Sequence, residues 1–270
     1  MLRFLLVLVL GALIVLASFS LRAFRAWLRA RRLAAIARAT TSSELERYLT
    51  ARDETVLEAA CARLAELAPA EDLVPTLHTR APETARALAR ALGRKSPKLL
   101  EQTLIAETDP TRRLRLAHGL AQNEAGIRVL VDALASPSNS PEDRGFALDA
   151  LEASPRETVL LHVRTALSGA PTPELLWALS DTGEPQDALL AAPHVATDSF
   201  PVASSACEAI ATLLDRGEPP DPARVRELVA RGKTRIREIH PPRQNPLADE
   251  LVLRIEELEE RLGTRSSVPA

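Results

Sequence analysis

Residues 109–120 read DPTRRLRLAHGL, and residues 140–151 read SPEDRGFALDAL. Each stretch opens on Asp or Ser followed by Pro, carries an arginine at its fifth place (Arg113, Arg144), and ends on a leucine preceded by Gly119 or Ala150. Asp or Ser before Pro is a helix start: the side chain accepts from free first-turn amides, and proline needs no hydrogen-bond donor there. The small penultimate residue lets a neighbouring helix come close. The same pattern extends outward to APETARALARAL at 81–92 and DETVLEAACARL at 53–64, where Arg63 takes the small-residue place. The closing apolar residues Leu64, Leu92, Leu120, Leu151, Leu179 and Ile210 are 28, 28, 31, 28 and 31 residues apart. A period of that length, filled with helix formers, predicts one helical hairpin per unit, each burying its apolar face on the next.

A second apolar stripe follows each stretch. Leu73, Val74 and Leu77 form the first; Leu99, Leu100 and Leu104 the next; Ile127, Leu130, Val131 and Leu134 another; then Val159, Leu160, Val163 and Leu167, and finally Val225, Leu228 and Val229. Spacings of three and four mark one buried face per helix. Composition agrees: 46% of the residues are apolar, only 3% are aromatic, and there are 10 glycines, so Ala, Leu, Arg and Glu dominate and favour helix. The expected fold is all-α, an α-solenoid over residues 41–240.

On these residues the chain resembles the HEAT-repeat family, in the short form found in phycobilisome-lyase-type repeats. Asp109, Pro110, Arg113, Ala117 and Leu120 match the family pattern, as do Pro141, Arg144, Ala150 and Leu151. The likeness runs from residue 53 to about 232. GAPTPELLWALSDTG at 169–183 departs from it: the arginine is missing, Trp177 enters, and Gly183, Pro185 and Pro193 interrupt the helices. The resemblance implies a scaffold or adaptor that grips another protein, with the second helices lining the concave face. A phycobilin-lyase-type enzyme is the lesser implication. A tetrapyrrole pocket wants aromatics and placed polar groups, and the array offers only Tyr48, Phe146, Trp177 and Phe200.

The amino-terminal segment reads differently. FLLVLVLGALIVLASFSL, residues 4–21, is uncharged over 18 residues. As a helix it spans about 27 Å, close to the bilayer hydrocarbon thickness. Residues 1–21 are therefore expected to be one transmembrane anchor, with a cleaved signal peptide and an exported protein as the alternative. Arg22, Arg25, Arg29, Arg31 and Arg32 follow at once. Positive charge on that side places the carboxyl-terminal body in the cytoplasm. Residues 22–40 form a basic juxtamembrane helix whose Phe24, Trp27, Leu28 and Leu33 share a face suited to the headgroup layer; equally, the segment is the first helix of the array.

At the other end, PPRQNP (241–246) is a linker. LADELVLRIEELEERLG (247–263) is an amphipathic helix expected to cap the array, with Gly263 as its stop, and residues 264–270 form a disordered tail. Ser43 and Glu46 have capping-box spacing, so a helix is expected near Glu44. The helix after Pro222 is expected to run to about Ala230.

Charge is divided. Of 34 basic and 36 acidic residues, residues 1–43 hold seven arginines and no acid, leaving 27 basic against 36 acidic residues, a balance of −9, in the rest. An acidic body is a poor nucleic-acid binder. Nothing points to a catalytic, cofactor-binding or metal-ligating residue. The five histidines, His78, His118, His162, His194 and His240, are scattered and expected mostly at exposed helix positions. No HExxH occurs, nor the His-Glu iron pairs of certain HEAT-repeat hydroxylases. Gly232-Lys233-Thr234 has Glu227 where a phosphate loop needs glycine. Cys61 and Cys207 sit three residues before their register positions, as small buried hydrophobes. The expected partners are thus a protein and, through the amino-terminal helix, a membrane. On the second helices, His78, Gln102, Arg128, Asp132, His162 and Arg164 are the candidate partner-binding residues, against the plainer reading that they are solvated helix surface.

Overall fold

The computed structural model describes residues 21–169 and 171–265. Among these the fold is helices and turns with no strand. The helices pack in chain order, and two compact units result, one ending at Ala106 and the other starting at Glu107. The expected membrane span lies almost wholly in residues 1–20, outside the described residues. No helix among those described is long and apolar enough to cross a membrane.

In the first unit, residues 21–38 are helical (α1). Then come α2 (Ser42–Leu45), a 3-10 turn at Glu46–Tyr48, α3 (Glu54–Leu67), α4 (Ala70–Leu73), a 3-10 segment at Val74–His78, α5 (Pro82–Lys95) and α6 (Pro97–Ala106). Asp53 starts α3 by accepting from the Val56 amide. α3 packs along α5, and α2 and the 3-10 segment close around them. Their core is Leu45, Val56, Ala60, Cys61, Leu64, Leu77, Leu88 and Leu92, all nearly inaccessible to solvent. Each such leucine contributes roughly 1.5–3 kcal/mol by leaving water.

Two features of this unit differ from expectation. The Ser43–Glu46 capping box does not form: Thr41 precedes the helix without a side-chain cap, and Glu44 instead accepts from the Thr40 amide at 2.9 Å. The second helix of this unit is a single turn of α-helix that tightens into 3-10 structure at Pro75. Proline lacks the N–H an α-helix interior needs and crowds the preceding turn, although Leu73, Val74 and Leu77 are buried as the stripe requires. Arg63, which broke the small-residue rule, ties two elements together. Its Nε and Nη2 donate to the Ala39 carbonyl at 3.1 and 2.9 Å, binding the chain just beyond α1 to α3.

The second unit comprises α7 (Pro110–Gly119), α8 (Glu124–Ala135), α9 (Pro141–Leu151), α10 (Arg156–Ala166), α11 (Pro173–Thr182), 3-10 turn Pro185–Asp187, α12 (Ala188–Ala191), 3-10 segment Ala192–Ala196, α13 (Phe200–Arg216), α14 (Pro222–Ile239) and α15 (Pro246–Arg265). Asp109, Ser140, Thr172 and Asp221 cap α7, α9, α11 and α14 through their side chains, as the sequence pattern demands. Within this unit most helices touch the next one or the next but one: α7 meets α8 and α9, α8 meets α9 and α10, and α11 meets α13. Such alternate contact sets first helices beside first helices and second beside second. Leu120, Leu151, Leu179 and Ile210 are all buried.

Pro193 repeats the effect of Pro75: α12 is one turn long and passes into 3-10 structure. α14 runs to Ile239, well beyond Ala230. Gly232 does not end it, because Gly232 lies where α14 passes the buried Val195; an added Cβ would sit 2.4 Å from Val195 Cγ1. α15 packs on α13 and α14 and buries Leu251, Val252, Ile255, Leu258 and Leu262. It continues past Gly263 to Arg265.

Candidate interaction surface

None of the five histidines is fully exposed. His118 is buried at 4% exposure, and the other four are half-buried. On α7, Leu116, Ala117 and His118 are consecutive and all buried; since successive side chains point about 100° apart, α7 is covered over a wide arc at its carboxyl-terminal end. Burial also pushes the His194 imidazole below its ordinary pKa, which favours its neutral form. Cys61 and Cys207 are buried free thiols, each pushed up to about 12 by loss of solvent. At neutral pH they carry no thiolate and are not nucleophiles. Among the described residues no group of three or more His, Cys, Asp or Glu side chains could hold a metal ion.

The six candidate residues separate. His78 is half-buried at the end of its 3-10 segment and Gln102 is exposed on α6, both in the first unit. In the second unit, α8 and α10 lie side by side. Arg128 and Asp132 are exposed one turn apart on α8, and His162 on α10 has Nε2 4.0 Å from the Glu124 carboxylate. Arg164 is already engaged within the fold. Its Nε and Nη2 grip the Asp187 carboxylate at 2.7 and 2.9 Å, and Asp187 in turn accepts from the Glu184 amide at 2.8 Å. Asp187 is almost fully buried, so this fork–carboxylate pair holds the irregular turn after α11 against α10.

The repeated arginines also differ. Arg144 reaches forward to Glu174 Oε2 at 2.9 Å and to the Asn139 carbonyl at 2.5 Å. Both partners of that ion pair are nearly buried, at 12% and 9% side-chain exposure. It joins α9 to the start of α11. Arg113, at the equivalent place in α7, instead lines an open groove of about 380 Å³ with Asp132, Asn139 and Asp143. Asp132 is the one sequence candidate placed in that groove.

A second cleft, of about 400 Å³, opens between α9 and α11. Leu148, Leu151, Val159 and Ala178 form its apolar floor, and the exposed carboxylates of Glu152 and Asp181 stand on its rim. Arg156 closes one end by donating to the Thr182 and Gly183 carbonyls at 2.8 and 2.9 Å. Trp177 precedes Ala178 and lies one turn before Asp181, so it flanks the rim at 41% exposure. The candidates chosen on the second helices do not line this cleft, whose walls are the first helices α9 and α11 with the start of α10 closing it. Trp177, in the unit that departs from the repeat, was the available signal. Against known protein families, characterised proteins and solved structures, the chain matches none.

Proposed function

We propose that the chain is a membrane-tethered, HEAT-like helical-repeat scaffold that holds a protein partner on the cytoplasmic side. Residues 1–21 are the anchor. The observation that carries the protein-binding part is the α9–α11 cleft: an apolar floor, two rim carboxylates with no ion-pair partner among the described residues, and a half-exposed tryptophan beside them. Tryptophan is enriched at binding hot spots because it offers a large rigid surface at small entropic cost. The rim suits a partner segment bearing Lys or Arg, whose alkyl stem would lie on the floor while its charge meets Glu152 and Asp181. The tether adds to this, since confinement at a membrane raises the effective concentration of two proteins held there.

The test is photo-crosslinking of the intact chain in its native membranes from positions 152 and 181, with position 157 on the exposed side of α10 as control. One protein captured from both cleft positions, absent from the control, and lost from position 152 in Trp177→Ala with Asp181→Lys, is the expected result. Equal capture from all three positions would sink the assignment. A reporter fused after Ala270 that is active only outside the cytoplasm would overturn the orientation, and a mature amino terminus near Leu21 would remove the tether.

A further inference from the structure

Helix α1 changes character along its length. Its carboxyl-terminal part belongs to the first unit: Ile36 and the following Ala39 are buried at 2% and 4% exposure, and Arg63 holds the Ala39 carbonyl. Arg29 Nε meets Asp53 Oδ2 at 2.7 Å, which also holds the Asp53 carboxyl below its ordinary pKa. Before Arg29 the helix turns outward. Leu21, Phe24 and Trp27 are each more than half exposed, and the Phe24 and Trp27 rings stack with centroids 6.0 Å apart. The Arg31 guanidinium sits 5.5 Å from the Trp27 ring centre. Arg22, Arg25, Arg31 and Arg32 are exposed, and none of the described carboxylates pairs with them.

Three large apolar side chains are thus left in water beside four unmatched positive charges, on the first described turns after the apolar run. Charge complementarity selects the occupant. A headgroup layer rich in anionic phospholipid offers dispersed negative charge for arginines at several angles around the helix, and an interface where amphipathic aromatic rings settle. The −9 balance of residues 44–270 opposes that same surface, so this helix must carry the attraction for the rest.

We infer that residues 21–32 are a docking surface for anionic phospholipid, with Phe24 and Trp27 seated at the interface and Arg22, Arg25, Arg31 and Arg32 binding lipid phosphate and carboxylate groups. The inference rests on the membrane placement proposed above. Because the same helix continues into the packed core at Ile36, lipid contact fixes the first unit at a set distance from the bilayer. From Leu21 to Ile36 the rise is about 22 Å.

The experiment uses the full chain with Trp177→Phe, which leaves Trp27 as the only tryptophan. It is reconstituted into vesicles of phosphatidylcholine alone, or with about 30% phosphatidylserine. Flotation reports the tether; Trp27 emission and acrylamide quenching report the docking surface. Chain that floats with both vesicle types, with Trp27 blue-shifted and protected only where phosphatidylserine is present, is the expected outcome. Each arginine near the surface is worth roughly fivefold in partition. Arg22→Gln with Arg25→Gln should therefore weaken the phosphatidylserine preference about 25-fold, with the circular dichroism spectrum unchanged. About 0.5 M salt should abolish it. Trp27 equally protected in both vesicle types, or exposed in both, would overturn the inference while leaving the tether intact. Failure to float with phosphatidylcholine, with protection on phosphatidylserine vesicles, would overturn the tether and support the docking surface.

Discussion

Two glycines in neighbouring helices should respond to the same substitution with opposite sign. Gly126 lies in α8 and Gly145 in α9. Replacing a helical glycine with alanine restricts the unfolded chain and favours helix by about 1 kcal/mol. At Gly145 that gain is unopposed, because a Cβ there meets nothing within 4 Å. At Gly126 the new Cβ would fall 2.2 Å from the Leu120 carbonyl oxygen, 2.5 Å from Leu120 Cβ and 2.6 Å from its carbonyl carbon. Backbone atoms cannot swing away as a side-chain tip can. The Leu120 oxygen is also fixed by the Asn123 amide at 2.8 Å, within the turn joining α7 to α8. Overpacking a tight site costs typically 1–3 kcal/mol; with backbone as the obstacle the upper end applies, so the net loss after the helix gain is about 2 kcal/mol. Chemical and thermal unfolding of the full chain, followed by Trp177 fluorescence in a Trp27→Phe background, measures both. Gly145→Ala should raise the Tm by about 2–4 °C and Gly126→Ala lower it by about 4–8 °C. Matching signs for the two would refute the contact geometry on which the difference rests.

Other outcomes follow from the packed ion pairs and thiols. Arg144→Ala strands the Glu174 carboxylate at a site only 9% exposed and should cost about 3–5 kcal/mol, whereas Arg144→Met with Glu174→Leu should lose much less; urea unfolding of the three proteins separates them. The Arg29–Asp53 pair predicts a pH effect. Arg29 depresses the Asp53 pKa in the folded state, so its stabilisation is complete above the unfolded carboxyl value of about 3.9 and disappears as pH falls through the folded value. Protection of α3 amides against hydrogen exchange should therefore weaken below about pH 4 in the parent protein, and this pH-dependent component should be missing in Arg29→Gln. Cys61 and Cys207, buried and with pKa values raised to about 12, should resist a thiol reagent in the folded protein and react within the mixing time in denaturant. Fast labelling of the folded chain would contradict their burial.

Much of the helical framework was legible along the chain. The Asp-Pro and Ser-Pro starts at 109 and 140 become side-chain caps, and all six register residues are buried. These signals are local: a cap and a 3.6-residue stripe depend on residues within a few places of each other. Where helices are too short, the failure was also local. Pro75 stood inside an apolar stripe, and the stripe concealed that proline would convert an α-turn to 3-10 geometry; Pro193, read from the sequence as a break, has the same effect. The candidate surface was far less legible. Arg128, Arg164 and Arg144 look alike in sequence, yet one is exposed, one is held by Asp187 and one is nearly buried against Glu174.

The sequence alone determined that this chain is helical, where most of its helices start, and that its charge is segregated, because those properties depend on residue type and short-range spacing. Only the tertiary structure decided which arginines are occupied, that Gly232 continues α14 beneath Val195, that His118 is buried, and that α1 is packed at one end and bare at the other. Each of those depends on what residues 20 to 50 places away bring to the same point, and no short-range pattern encodes that distance.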